Sequence, residues 1–157
     1  MSVRNKVAAA LLSLSVAGVA FIQQWEGTEQ VAYLDSVGVP TICTGSTRNV
    51  FIGQHATLDE CEERLQEDTS YAGQAIQRLV RVKLTQDQYD ALVSLVFNIG
   101  PGAFARSTLL KRLNAGECTA TADEFLKWRY AAGKPLRGLL NRRKAERELF
   151  IRGCYAE

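Results

Sequence analysis

Phe21-Ile-Gln-Gln-Trp25-Glu26-Gly-Thr-Glu-Gln-Val-Ala-Tyr-Leu-Asp35-Ser-Val-Gly-Val-Pro40-Thr41-Ile-Cys43-Thr-Gly45 is the stretch that decides the fold. An apolar, helix-like run closes on a single acid, Glu26, and a second acid, Asp35, follows across a turn-rich segment. Thr41 then sits on a short β-branched run. A helix end followed by a turn and a hairpin can hold two carboxyls across a groove. Cleavage of a glycosidic bond uses such a pair, one protonated and one ionised. The plainer alternative is a helix-end Glu and a turn Asp on a solvated loop, where most acids lie.

The spacing Glu26, eight residues, Asp35, five residues, Thr41 resembles the motif of the phage-type lysozymes (endolysins), glycoside hydrolase family 24. In that family the middle position is Asp, sometimes Cys. The resemblance implies a mostly helical α+β fold, with a small antiparallel β-hairpin lobe (about 28–56) and a larger helical lobe (about 58–157) joined by a long helix. Residues 1–25 would be a signal-anchor or first helix, and 26–157 the catalytic domain. The family's glycine at Gly45 is usually followed by His and Thr; here Ser46-Thr47 stands instead, which removes a structural histidine and touches neither acid.

The chain has 157 residues, 46% apolar and 23% charged, with formal net charge +2. That fits one globular domain or two lobes sharing a core. The charge is too small to argue for nucleic acid and would suit an anionic wall polymer or a membrane surface. The four cysteines, Cys43, Cys61, Cys118 and Cys154, form no Cys-x-x-Cys pair, and with the lone His55 they make no zinc set. Neither a metal nor a cofactor is expected. If the chain is exported, two disulfides follow, with three possible pairings. Cys43–Cys61 is preferred because both flank the hairpin region, which leaves Cys118–Cys154. Four buried thiols in a cytosolic protein are the alternative.

The N-terminus bears on that choice. Two positive charges, Arg4 and Lys6, precede an uncharged run of nineteen residues, Val7 to Trp25. Nineteen residues just span a bilayer, and the preceding charges would keep their end in the cytoplasm. A cleaved signal peptide, with Gly18-Val-Ala20 as its cleavage site, would strip Glu26 of its helix. An ordinary core helix would be expected to show a solvated face. The run is rich in Ala, Gly and Ser, so it is weakly apolar for a spanning helix. It resembles the signal-anchor-release segment of some endolysins. That resemblance implies export to the host inner membrane, transient insertion through residues 7–25 and release to the periplasm. The released segment would then pack as the first helix.

Further along, Pro40 should lie at a strand edge or start, and Val39–Cys43 and Asn49–Ile52 read as strands. His55 reads as a loop residue. Thr57-Leu-Asp-Glu60 and Thr85-Gln-Asp-Gln88 are capping boxes. The first should open a helix running to about Val82, and the second a core helix ending at Asn98-Ile-Gly100-Pro-Gly102. A short helix should run from Ser107 to Ala115. Thr121 should cap another that ends near a core Trp128. Leu136 to Arg152 should form the last helix, with Leu139, Leu140, Leu149 and Phe150 inward; Arg143, Lys144 and Arg147 crowd the same helix with Glu146 and Glu148, so a basic solvated face is the alternative to a site role for Arg142.

Phe97-Asn-x-Gly-x-Gly, Trp128-x-x-Ala-x-Gly and Gly138-Leu-x-x-Arg142-Arg143 extend the resemblance. It implies that Phe97 and Ser107 line the sugar cleft, although core packing also explains Phe97. It implies that Arg142 supports the catalytic acid, favouring its ionised form, while an apolar site beside Trp25 would oppose that. It further implies a monomeric muramidase acting on peptidoglycan glycan strands. Glu26 would be the acid, Asp35 the ionised partner and Thr41 a holder of water, with inversion at a carboxyl separation of roughly 6.5–9.5 Å. A non-catalytic wall-binding module and a membrane-active lysis protein are the competing classes; clearing of a wall suspension and leakage of liposomes distinguish them.

Overall fold

The computed structural model describes residues 5–156, so Arg4 lies outside the described residues. The described chain divides into two compact units. One holds Val19–Ser70; the other holds the chain up to Gly18 together with the chain from Tyr71 onward.

The unit from Val19 to Ser70 begins inside helix α1, Val16–Glu26. Gly27 stops that helix. Its φ of +79° is open to glycine, and its N–H closes on the Gln23 carbonyl at 2.8 Å. Strand β1, Glu29–Leu34, pairs antiparallel with β2, Pro40–Cys43, and a register irregularity lies between Glu29 and Tyr33. Pro40 is the first residue of its strand, where its missing N–H costs no ladder bond.

The run Asn49–Ile52 is not a strand. Asn49 takes φ +52°, and the Phe51 N–H is claimed by the Gln54 side chain at 3.1 Å. Its place beside β1 is taken by 54–56: the Ala32 N–H donates to the Gln54 carbonyl and the Ala56 N–H to the Gln30 carbonyl. His55 is exposed on that segment.

The core of this unit is Ala32, Ile42, Cys43, Ala56 and Cys61, with Val50 packed against it. The Cys43–Cys61 disulfide, Cα atoms 5.0 Å apart, runs through it. Ser46, in the place of the family's histidine, is buried and accepts from Arg64 Nη1 at 3.1 Å.

Thr57 and Glu60 complete the expected capping box of α2, Leu58–Asp68. The single helix expected to reach Val82 is divided, because α3 is Ser70–Leu79. Between them the Thr69 hydroxyl donates back to the Leu65 carbonyl at 2.8 Å and the Gln66 carbonyl at 3.2 Å. Such back-bonding competes with the helix's own ladder and bends it.

In the other unit α4, Gln86–Ile99, is the central element. It opens on the Thr85–Gln88 box and stops at Gly100. Every residue from Gln88 to Val96 is buried, the signature of a helix covered on all faces. Leu92, Val93, Leu95 and Val96 each contribute about 1.5–3 kcal/mol by leaving water. Pro101 opens α5, Pro101–Ala105, at a position that needs no N–H. Helix α6, Thr108–Asn114, follows.

Helix α7, Cys118–Glu124, begins three residues before the expected cap. Thr121 is inside it, and its hydroxyl donates to the Glu117 carbonyl at 2.8 Å. Trp128 is half-buried rather than core. A two-residue hairpin pairs β3, Tyr130–Ala131, with β4, Lys134–Pro135. Helix α8, Arg137–Ile151, is followed by a 3₁₀ turn stapled to α7 by the Cys118–Cys154 disulfide, Cα atoms 5.6 Å apart. Both disulfides are the expected pairs.

The N-terminal segment of this unit is a strap rather than a helix. Val7 and Leu84 exchange two backbone hydrogen bonds of 2.8 Å, and a 3₁₀ turn covers Ala9–Leu11. Gln77 donates to the Leu12 carbonyl at 3.3 Å and Gln86 to the Ser13 carbonyl at 2.8 Å. Ser15 caps α1, its oxygen accepting from the Gly18 N–H at 3.0 Å while its hydroxyl donates to buried Asp90. Burial pushes the Asp90 carboxyl above its ordinary value, and hydrogen bonds from Ser15 and Gln86 draw it back. A Cβ built on Gly18 would stand 2.6 Å from Leu14 Cδ1 and 2.7 Å from Asp90 Cγ, so only glycine fits.

Candidate active site

Glu26 is the last residue of α1, and its side chain is exposed. The Gly27 stop therefore turns the chain away directly after the acid. Asp35 follows β1 and organises the turn into β2. Its Oδ1 accepts from the N–H groups of Val37 and Val39, each at 2.9 Å. The backbone closes the same turn: the Asp35 N–H donates to the Val39 carbonyl at 3.0 Å, and the Gly38 N–H to the Asp35 carbonyl at 3.0 Å. Both side-chain bonds fall on one oxygen, Oδ1, so the turn is held without Oδ2.

Thr41 lies opposite Tyr33 on β2 and is 3% exposed. Its hydroxyl donates to the Val39 carbonyl at 2.9 Å. A hydroxyl has one proton, so towards any further partner Thr41 acts only as an acceptor. All three residues belong to the Val19–Ser70 unit, and Asp35 and Thr41 meet at Val39.

The remaining expected site residues lie in the other unit. Phe97 is half-buried near the end of α4. Its ring lies 6.2 Å from that of Tyr71, whose hydroxyl donates to the Phe97 carbonyl at 3.2 Å. Ser107 is buried as the cap of α6: it donates to the Phe104 carbonyl at 2.7 Å and accepts from the Leu110 N–H at 3.1 Å. Arg142 is 5% exposed, and its Nη2 donates to both the carbonyl and the hydroxyl of Ser94 at 3.2 Å.

The alternative of a basic solvated face on this helix does not hold for Arg143 and Glu146. Both are fully buried, with Arg143 Nε 2.6 Å from Glu146 Oε1. Leu139, Leu140 and Leu149 are only half-buried, while Phe150 is in the core as expected. A signal for this was present. Positions 139, 143, 146 and 150 are spaced four, three and four apart, so the charged pair lies on the stripe that Leu139 and Phe150 mark as inward.

Burial pushes the Glu146 carboxyl from 4.5 up to about 7; the charges of Arg143 and Arg142 and hydrogen bonding from Ser94 and Arg143 oppose it. The desolvation of a carboxylate at this depth outweighs two neighbouring cations.

The phage lysozyme family model matches residues 23–146. The endolysin of Salmonella phage P22 is 44% identical over 146 residues, covering 90% of this chain and 99% of that one. The SAR-endolysin of Enterobacteria phage P21 is 34% identical over 160 residues, covering 97% of each chain. The crystal structure of a P22 lysozyme mutant superposes with a TM-score of 0.87 at 43% identity, covering 90% of this chain and 99% of that one. The α+β lysozyme-like fold thus comes with sequence likeness along nearly the whole chain. The chain belongs to the phage lysozyme family. It is a glycosidase that hydrolyses peptidoglycan, a muramidase serving host-cell lysis.

Proposed function

We propose that this lysozyme cleaves the β-1,4 bond between N-acetylmuramic acid and N-acetylglucosamine with Glu26 as general acid and Asp35 and Thr41 as the water-holding pair. The observation that carries this reading is the hydrogen bonding at Val39. It anchors Asp35 through Oδ1 and uses the single proton of Thr41. Asp35 Oδ2 and the Thr41 oxygen are then both acceptors. A water that donates one hydrogen to each presents its lone pair to the anomeric carbon. Glu26 donates its proton to the leaving oxygen, and the water attacks from the opposite face. Asp35 accepts the water's proton, and the product has inverted configuration.

In this reading Arg142 supports Glu26. Phe97 offers its half-exposed ring to the sugar, and Ser107 contributes only through the lone pair its capping bond leaves. The enzyme works as a monomer. The test is clearing of a peptidoglycan suspension by wild type and by Glu26→Gln. Retained clearing by a folded Glu26→Gln would refute the acid assignment. Anomer analysis of the product decides inversion.

The localisation reading is export to the host inner membrane through residues 7–25, followed by release to the periplasm. The uncharged run, the two disulfides suited to an oxidising compartment and the likeness to SAR-endolysins support it. Among the described residues no helix is long and apolar enough to cross a membrane. In the folded protein the same run is spent on the strap and on eleven-residue α1. A membrane-spanning and a folded state are then exclusive, and release switches the enzyme on. Fractionation before and after collapse of the membrane potential tests this; full activity in the membrane fraction would refute it.

A further inference from the structure

The hairpin that carries Asp35 and Thr41 brings a further side chain to the same side. Tyr33 on β1 is directly paired with Thr41 on β2, and Leu34 with Pro40. The irregularity of register lies before Tyr33, so the pairing is unbroken from there to the turn. The next rung is Asp35 with Val39, closed by the Asp35 N–H on the Val39 carbonyl at 3.0 Å. Directly opposed residues put their side chains on one side of a sheet, and residues two apart along a strand share a side. Tyr33, Thr41, Asp35 and Val39 therefore stand on one side of the hairpin. Leu34 and Pro40 stand on the other, with Ala32 and Ile42 of the unit's core.

Thr41 is 3% exposed and Tyr33 is 40% exposed, so the open surface at this pair is the tyrosine's. Among the described residues its ring stacks on no other aromatic ring. Its Cβ stands about 5 Å from that of Thr41, and its Cα about 7 Å from that of Asp35, two strand residues on. A lone exposed tyrosine needs no special account. One that shares a side and a rung with the residues proposed to hold the attacking water does.

We propose that Tyr33 is a sugar-binding residue of this muramidase: its ring packs against the N-acetylmuramic acid whose anomeric carbon receives the water. This rests on the reading of Asp35 and Thr41 as the holders of that water. A pyranose presents a face of C–H groups, and the negative π face of an aromatic ring is its electrostatic complement. The tyrosine hydroxyl adds a polar tip for the hydroxyl and amide edges of the sugar. Water held by Asp35 and Thr41 attacks the sugar that lies over them, and a ring one rung away borders that same sugar. The contact exists both before and during bond cleavage. It serves affinity, and its loss raises KM with kcat little changed. If Tyr33 served only to pack against Thr41, its loss would disturb the held water, and kcat would fall instead.

The experiment uses the full chain and a soluble peptidoglycan glycan oligomer. Calorimetry measures binding of the oligomer to Glu26→Gln, and to Glu26→Gln carrying Tyr33→Leu or Tyr33→Phe. Turnover gives kcat and KM for wild type and the two tyrosine variants, with the melting temperature of each. Tyr33→Leu should weaken binding and raise KM by about tenfold, as loss of an aromatic contact implies. Tyr33→Phe, which keeps the ring, should recover most of that loss.

Unmoved binding in Tyr33→Leu overturns the proposal. A fall in kcat at wild-type KM also overturns it, since a packing role gives that result. If Tyr33→Leu does not fold, the ring resonances of Tyr33 in Glu26→Gln decide, assigned by their absence when Tyr33→Phe is added. A shift on addition of the oligomer supports the proposal, and unmoved resonances overturn it. Unmoved binding in Tyr33→Leu beside crippled Asp35→Asn and Thr41→Val overturns the proposal alone. Asp35→Asn and Thr41→Val at wild-type kcat remove the water-holding reading, and the proposal falls with it.

Discussion

Replacing Glu146 by Gln separates the ion pair from the desolvation that opposes it. The folded carboxyl stands at about 7 against 4.5 for the ordinary side chain, a displacement of 2.5. At 1.36 kcal/mol per unit this is about 3 kcal/mol. The sign follows from linkage. The folded state holds the proton more tightly than the unfolded chain. The contribution is therefore full below about 4.5 and is lost as pH rises through about 7. Glutamine does not titrate, so the stability difference between wild type and Glu146→Gln should shift by about 3 kcal/mol against wild type between pH 4 and pH 8. With an m-value of about 2 kcal/mol per molar urea, this is a relative midpoint shift of about 1.5 M. Urea unfolding with both disulfides intact, at five or six pH values, reads it directly. A difference that grows in favour of wild type with rising pH would mean that Arg143 and Arg142 outweigh burial, and the reasoning about this cluster would be wrong.

Asp35→Asn should cut peptidoglycan clearing at least a hundredfold while the turn persists, because the amide oxygen can still accept from Val37 and Val39; the estimate is the ordinary worth of a general base, about 10²–10⁴. Thr41→Val keeps the shape and removes the acceptor, so kcat should fall by about tenfold or more, as for loss of one hydrogen bond of about 1.5 kcal/mol; unchanged kcat would remove Thr41 from the mechanism. Opening the disulfides singly by Cys→Ser pairs should cost about 3 kcal/mol for the 18-residue separation of Cys43–Cys61 and about 4 kcal/mol for the 36-residue separation of Cys118–Cys154, checked by urea midpoints.

The features legible in the sequence were those fixed by local chemistry. Both capping boxes form because the hydroxyl and the acid or amide three residues on satisfy each other's backbone N–H groups wherever the helix lies. Gly100 stops α4 for a similarly local reason. What misled was context. Asn49–Ile52 has strand composition, but a left-handed Asn49 and the grip of Gln54 on Phe51 turn it into a loop. Thr121 resembles a cap, but Glu117 four residues earlier gives its hydroxyl a carbonyl inside the helix. On α8 the rule that charges face water failed because Arg143 and Glu146 take each other into the core, a tertiary pairing that composition does not announce. At the candidate site the order Glu26, Asp35, Thr41 was readable. That the hydroxyl of Thr41 spends its proton on Val39 was not, since it depends on how the hairpin turns.

If residues 7–25 enter the membrane as proposed, position 18 answers to two solvents. A bilayer would welcome leucine there, since each such residue favours insertion by about 0.3–0.6 kcal/mol. The folded protein leaves no room for one, with Leu14 and Asp90 under 3 Å from the first added carbon. The greasiness of the whole run is thereby capped from the water side. A chain selected for tighter membrane residence through this position would lose the seat of its own first helix.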